Sequence, residues 1–292
     1  MMNQLNQTKC PALIGTLLVC AITLLFGCKE QSYTSPEGYD INKPQKENLG
    51  KVLNEISGIS FNGDNNTLLA ISDSKPKVLE INLNKQKLKD YTDRVVPPNS
   101  DIEDVVKVDS AVYMLSSKGI IFEVPRRKDS IQVRSYTFPS TDQNDFETLY
   151  YDPSVNSLIM VCKKCPVDKG KNMRTAYRFD LANKQFDSAA FYTFSTEDVK
   201  KLLKDDNAKF EPSAAAIHPI NKRLYILSSA GNLLVIADTR GKIIEAYELN
   251  PEQFPQAEGI AFAPNGDMFI SNEGKYGAPT LQEFKYHQDK KN

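Results

Sequence analysis

Glutamates stand at the head of five similar segments: Glu55 in NEISGISF, Glu103 in IEDVVKV, Glu147 in FETLYYDP, Glu211 in FEPSAAAIHP and Glu258 in AEGIAFAPNGD. Brought together, such carboxylates repel. A bound Ca²⁺ relieves that repulsion by accepting their oxygens. Five cannot comfortably share one ion, so two or three would ligate and the rest would brace. Asp73 in AISDSK and Asn272 in ISNEG follow matching small residues and could join Glu55 and Glu258 at one pole. An Asp/Asn/Glu oxygen set suits Ca²⁺ rather than zinc. The alternative is structural. Each carboxylate would accept bonds from backbone N–H groups where neighbouring strands splay apart, which lowers its pKa.

Other chemistry is sparse. Cys162 and Cys165 form a C-x-x-C, the spacing of a redox pair or of half a zinc site. The second half of a zinc site is missing, so Cys162 is expected to pack as a small residue, with a disulfide to Cys165 as the alternative. His218 falls in the turn IHPINK, and His287 lies near the C-terminus. No G-x-S-x-G and no P-loop is present. The expected catalytic set is therefore empty.

The elements that position the glutamates repeat with them. The glutamates are 48, 44, 64 and 47 residues apart, close to the blade period of propellers, about 40–50 residues. After each comes a short apolar run, then a turn rich in Asp, Asn, Gly and Pro. A second strand follows: TLLAIS, VYMLS, SLIMVC, RLYILS or DMFIS. Further strands complete a meander in most units. Such units bury both faces only when packed radially. We expect an all-β chain forming a five-bladed β-propeller, with the segment before Glu55 closing the ring. A six-bladed ring is the alternative, its extra blade hidden in the 64-residue gap. STEDVKKLLKDDNAKF in that gap reads instead as a short helical insertion near 195–209. Ser195 caps it, and Val199, Leu202 and Leu203 share a face.

The chain opens with Lys9 and an apolar run from Ala12 to Phe26, the length of a signal-peptide core. Leu25-Phe26-Gly27-Cys28 resembles the bacterial lipobox, so residues 1–27 are expected to be a lipoprotein signal and Cys28 the lipidated N-terminus. Residues 28–48 are polar and read as a flexible tether, leaving 49–288 for the propeller. The 36 basic and 37 acidic residues nearly balance, with no basic patch for nucleic acid. The lipid makes the membrane a partner, and the outer membrane is expected because lysine, not aspartate, follows Cys28.

At EISGISF, IEDVV, FETLYYDP, FEPSAAAIHP with LYILSS, and AEGIAFAPNGDMFISNEG, the chain resembles the SdiA-regulated propeller family, relatives of NHL-repeat proteins. The resemblance runs from Leu49 to Tyr286. It implies five blades and a calcium site, and no established reaction. We expect a monomeric, calcium-binding recognition module whose ligand is an envelope protein, a small molecule or a glycan. The alternatives are a calcium-dependent lactone or phosphoester hydrolase and a purely structural scaffold.

Overall fold

Antiparallel strands separated by the expected turns build five small sheets. The computed structural model describes residues 32–288 apart from 64–65, 74, 86, 92–95, 126–131 and 276. The expected signal peptide and Cys28 lie outside the described residues. Strand β1 (Gln45–Asn48) comes first among the described residues. The first blade is β2 (Ile56–Phe61), β3 (Thr67–Ser72), β4 (Lys75–Asn82) and β5 (Lys87–Asp90). The second is β6 (Ile102–Val108), β7 (Ala111–Ser116), β8 (Ile120–Pro125) and β9 (Arg134–Thr137). The third is β10 (Asp145–Asp152), β11 (Ser157–Lys164), β12 (Met173–Asp180) and β13 (Gln185–Phe186), with β14 (Tyr192–Ser195) also on β12. After helix α1 (Thr196–Leu203) comes the fourth: β15 (Ala214–Ile217), β16 (Leu224–Ser228), β17 (Leu233–Ala237) and β18 (Ile243–Glu248). The last is β19 (Ala257–Phe262), β20 (Met268–Asn272) and β21 (Thr280–Phe284), completed by β1. First strands touch in cyclic order, β2 to β6 to β10 to β15 to β19 and back to β2. This is a five-bladed propeller. The 64-residue gap holds β14 and α1 rather than a sixth blade.

The second strands read as continuous apolar runs because they are sandwiched between blades. Every residue of β3, β16 and β20 is buried. The core is divided among the seams. Ile59, Leu68 and Phe269 pack in one cluster between the last and first blades. Tyr225, Leu234, Ile260 and Phe284 pack in another between the fourth and fifth. Each large apolar side chain so buried contributes about 1.5–3 kcal/mol.

Polar side chains stitch the first strands together. Asp104 is buried, and its two oxygens accept the N–H groups of Val105 and Leu149, each at 2.7 Å. The second bond crosses from one blade to the next. Gly58 leaves room for it, because a Cβ there would lie 2.2 Å from Asp104 Oδ1. Asp104 therefore performs the bracing that the sequence reading offered to Glu103. Asp104→Ala strands two buried donors and is expected to cost about 2–4 kcal/mol in urea unfolding. Asp104→Asn, which keeps one acceptor, should cost less. A loss under about 0.5 kcal/mol for Asp104→Ala, the ordinary scatter of surface changes, would contradict the brace.

Helix α1 is capped as expected, with Ser195 Oγ accepting the Asp198 N–H at 3.1 Å. Val199 is buried and Leu203 packs beside it, but Leu202 is 46% exposed. The helix ends at Leu203, so the predicted apolar face is narrower than the sequence pattern and does not extend to 209.

The tether expectation fails for the described residues before 49. Tyr39 and Ile41 are fully buried in the seam of the fourth and fifth blades. Gln45 to Asn48 pair with Glu283 to Thr280. Average polarity concealed two anchors. Gly38, at φ +87°, makes the turn that seats Tyr39, and a Cβ on it would overlap Tyr286.

Candidate functional site

All first strands begin at the same end of the channel, and their hydrogen-bond registers align the blades residue by residue. Ile56 pairs with Ser72, Ile102 with Ser116, Phe146 with Cys162 and Ala257 with Asn272. A bulge follows each pair. In the fourth blade, Ser213 donates its N–H to Leu227 O at 2.9 Å while Ala214 pairs with the same residue. The equivalent tripeptides are therefore Glu55-Ile56-Ser57, Asp101-Ile102-Glu103, Asp145-Phe146-Glu147, Glu211-Pro212-Ser213 and Gln256-Ala257-Glu258.

This register corrects the expectation of five equivalent glutamates. Glu55 and Glu211 stand at strand starts, in one tier with Asp101, Asp145 and Gln256. Glu103, Glu147 and Glu258 are the extra residues of β-bulges, in a second tier with Ser57 and Ser213. Bulges re-aim side chains at the ends of strands, and here they turn glutamates to the mouth. A third tier follows the second strands: Asp73, Ser117, Lys163, Ser229 and Glu273. Asn272 is one residue short of it. Asn272 matches Ser72, Ser116, Cys162 and Ser228, and its amide nitrogen bonds Thr280 Oγ1 at 3.3 Å. Glu273 is the true counterpart of Asp73, and sequence reasoning missed it along with Asp101, Asp145 and Lys163. The tripeptide pattern, acid or amide, then apolar, then Glu or Ser, was the signal that would have found the two aspartates.

Nine carboxylates and one lysine occupy the three tiers. Burial first, then Glu147, Asp101 and Asp73, push the Glu103 carboxyl up to about 9. Burial, Glu147 and Glu273 push Glu258 up to about 8, against the pull of Lys163 and Ser229. Glu273 rises to about 7 through burial, Asp73, Glu55 and Glu147, opposed by Lys275. Asp73 rises through burial, Asp101 and Glu55. These groups share one field, and it is short of cations.

Lys163 is the one tier cation. It lies between Cys162, paired with Phe146, and Lys164, paired with Asp145, as the extra residue of a second bulge. Its ammonium touches Glu147. Burial disfavours its charge, but Glu147, Glu258 and Asp145 hold its pKa above the ordinary lysine range. Cys162 and Cys165 are joined by a disulfide and both are buried. The packing and disulfide readings of Cys162 therefore both hold, and the bridge fixes the loop that presents Lys163. Lys164 pairs with Glu211 at 3.2 Å on a more exposed edge, where such pairs contribute little.

The oxygen donors match the chemistry of Ca²⁺. Among the described residues no three Asp, Glu, His or Cys side chains converge on one metal position. The glutamates are split between two tiers, and Glu147 is engaged by an ammonium. His218 is remote from this mouth, on the turn after β15. It is buried, with Nδ1 accepting the N–H groups of Ile220 and Asn221 and Nε2 bonded to Tyr39 Oη at 2.8 Å. Burial and Lys222 hold it neutral, down to about 4. It is the turn residue that the sequence suggested.

Fold and mouth together define a five-bladed β-propeller with an acidic channel entrance. The chain belongs to the SdiA-regulated family, whose model matches residues 32–276. No curated protein matches the chain in sequence. The fold is similar to that of a luciferin-regenerating enzyme, with a TM-score of 0.52 at 11% identity, over 83% of this chain and 95% of that one. It is also similar to the calcium-binding protein regucalcin from Agrobacterium tumefaciens, with a TM-score of 0.51 at 12% identity, over 82% of this chain and 93% of that one. A protein of unknown function from Bacteroides thetaiotaomicron gives 0.50 at 13% identity, over 82% of this chain and 58% of that one. At such identities the likeness is one of fold alone.

Proposed function

We propose that the chain is a recognition propeller, lipid-anchored through Cys28 to the bacterial envelope, that takes a cationic ligand at the acidic mouth. The observation that supports this most is the imbalance of nine tier carboxylates against Lys163 and the flanking Lys164 and Lys275. A multivalent cation that binds only the folded state stabilises it in proportion to the logarithm of its concentration. Calcium is the cation that the family resemblance suggests, yet it would compete with Lys163 for Glu147. An organic ammonium or guanidinium group, which needs hydrogen-bond acceptors rather than a closed ligand shell, suits spread carboxylates better.

The test is thermal melting in EDTA, in calcium and in spermidine, with sodium chloride matched for ionic strength. Spermidine should raise the melting temperature by a few degrees and calcium by less. Glu258→Gln should reduce both shifts. Lys163→Gln should enlarge the calcium shift, because it frees Glu147. Shifts no larger than those in sodium chloride would mean screening alone and would sink the proposal.

One observation favours the hydrolase reading. Glu273 and Glu258, near 7 and 8, lie where general acids and bases work best. That reading requires turnover of a lactone or phosphoester that Glu258→Gln abolishes.

A further inference from the structure

The opposite end of the channel has the reverse character. A cavity of about 410 Å³ opens there, within the size range of small-molecule sites, about 300–1,000 Å³. All five first strands wall it: Ile59 from β2, Val106 from β6, Leu149 from β10, Ala216 from β15 and Ile260 from β19. No Asp or Glu is among its lining residues. Lys107 and Lys222 are the charged residues that line it. Lys222 donates from Nζ to Pro219 O at 2.6 Å. The half-buried Lys107 binds the neighbouring blade through its backbone N–H, which donates to Ser60 Oγ at 3.1 Å. Its ammonium has no ion-pair partner among the described residues.

The two features call for one kind of ligand. Apolar walls favour a hydrocarbon body, since each methylene buried gains about 0.8 kcal/mol. A half-buried lysine without a counter-charge favours an anion beside its ammonium, and that contact gains strength as water is excluded. His218, on the same wall, is neutral and contributes no competing charge. We propose that this basic, apolar mouth binds a small amphipathic carboxylate, with its chain in the cavity and its head group on Lys107. The site is separate from the acidic mouth, and a carboxylate would be repelled there.

Decanoate, below its micelle concentration, is the probe, titrated calorimetrically into the full propeller. Decanol and decylamine serve as neutral and cationic comparisons. Decanoate should bind saturably at one site, and decylamine at least about tenfold more weakly. Lys107→Met should weaken decanoate about tenfold, or about 1.4 kcal/mol, while leaving decanol unchanged. Ala216→Leu should weaken decanoate and decanol together by filling the cavity, with melting curves confirming that the variant is folded. Glu258→Gln, at the other mouth, should leave decanoate binding intact. The proposal is overturned if decanoate shows no saturable binding, if decylamine binds as well, or if Lys107→Met leaves the carboxylate affinity unchanged.

Discussion

Removal of residues 33–48 is expected to abolish cooperative folding of the propeller. The deleted segment supplies β1, the outermost strand of the last blade, whose four residues pair with β21. It also supplies Tyr39 and Ile41, buried among Tyr225, Phe254 and Phe284. Two large apolar side chains contribute about 3–6 kcal/mol by burial alone. The polar loss adds to this. Tyr39 Oη donates to Gly266 O at 2.5 Å and accepts from His218 Nε2. Without it, His218 Nε2 and the Gly266 carbonyl lose a partner, at about 1–3 kcal/mol each. The sum is comparable to the whole stability of a domain, about 5–15 kcal/mol. A variant beginning at Leu49 should therefore be insoluble or melt without a sharp transition, whereas one beginning at Tyr33 should melt cooperatively. Equal melting of the two would show that the segment is a tether after all.

Stability should fall as pH rises from 5 to 9. An unfolded glutamate titrates at about 4.3. In the folded state Glu273, Glu258 and Glu103 titrate at about 7, 8 and 9. The folded state thus holds protons that the unfolded state has lost. The stabilisation is complete below about pH 4.3 and is lost successively as pH passes the three folded values. Protonation of one carboxyl relieves the repulsion on its neighbours, so we expect a total loss of about 2–4 kcal/mol. Glu103→Gln with Glu258→Gln should flatten the profile, matching wild type at pH 5 and exceeding it at pH 9. Urea unfolding across that range checks both statements. A wild-type profile that is flat or rises with pH would contradict the crowding of charge at this mouth.

The blades were legible because their determinants are local. Apolar runs, turns rich in Asn, Asp, Gly and Pro, and the Ser195 cap each specify an element within a few residues. A closing strand before Glu55 was also foreseen, but β1 falls in the stretch read as tether. Tyr39 and Ile41 were not, since their burial depends on a cavity assembled from residues some two hundred positions later. The site was legible in outline and misread in register. A glutamate at a strand start and one at a bulge two residues later look alike in sequence, but pairing with the second strand separates them. The same pairing exchanges Asn272 for Glu273. Lys163 was invisible for a different reason: its inward placement comes from a bulge and from the Cys162–Cys165 bridge, neither of which the C-x-x-C spacing alone announces.

The central claim is that the acidic mouth crowds more carboxyl groups together than its lysine can hold ionised, so that three of them keep their protons to near-neutral pH or above. Carbon-13 titration of the glutamate side-chain carboxyls, in metal-free buffer and with assignments from Glu103→Gln, Glu258→Gln and Glu273→Gln, tests it most directly. The account predicts that these three titrate near 9, 8 and 7, and that Lys163→Gln moves Glu258 higher still. Midpoints near the ordinary value of about 4.3 for all three would contradict it.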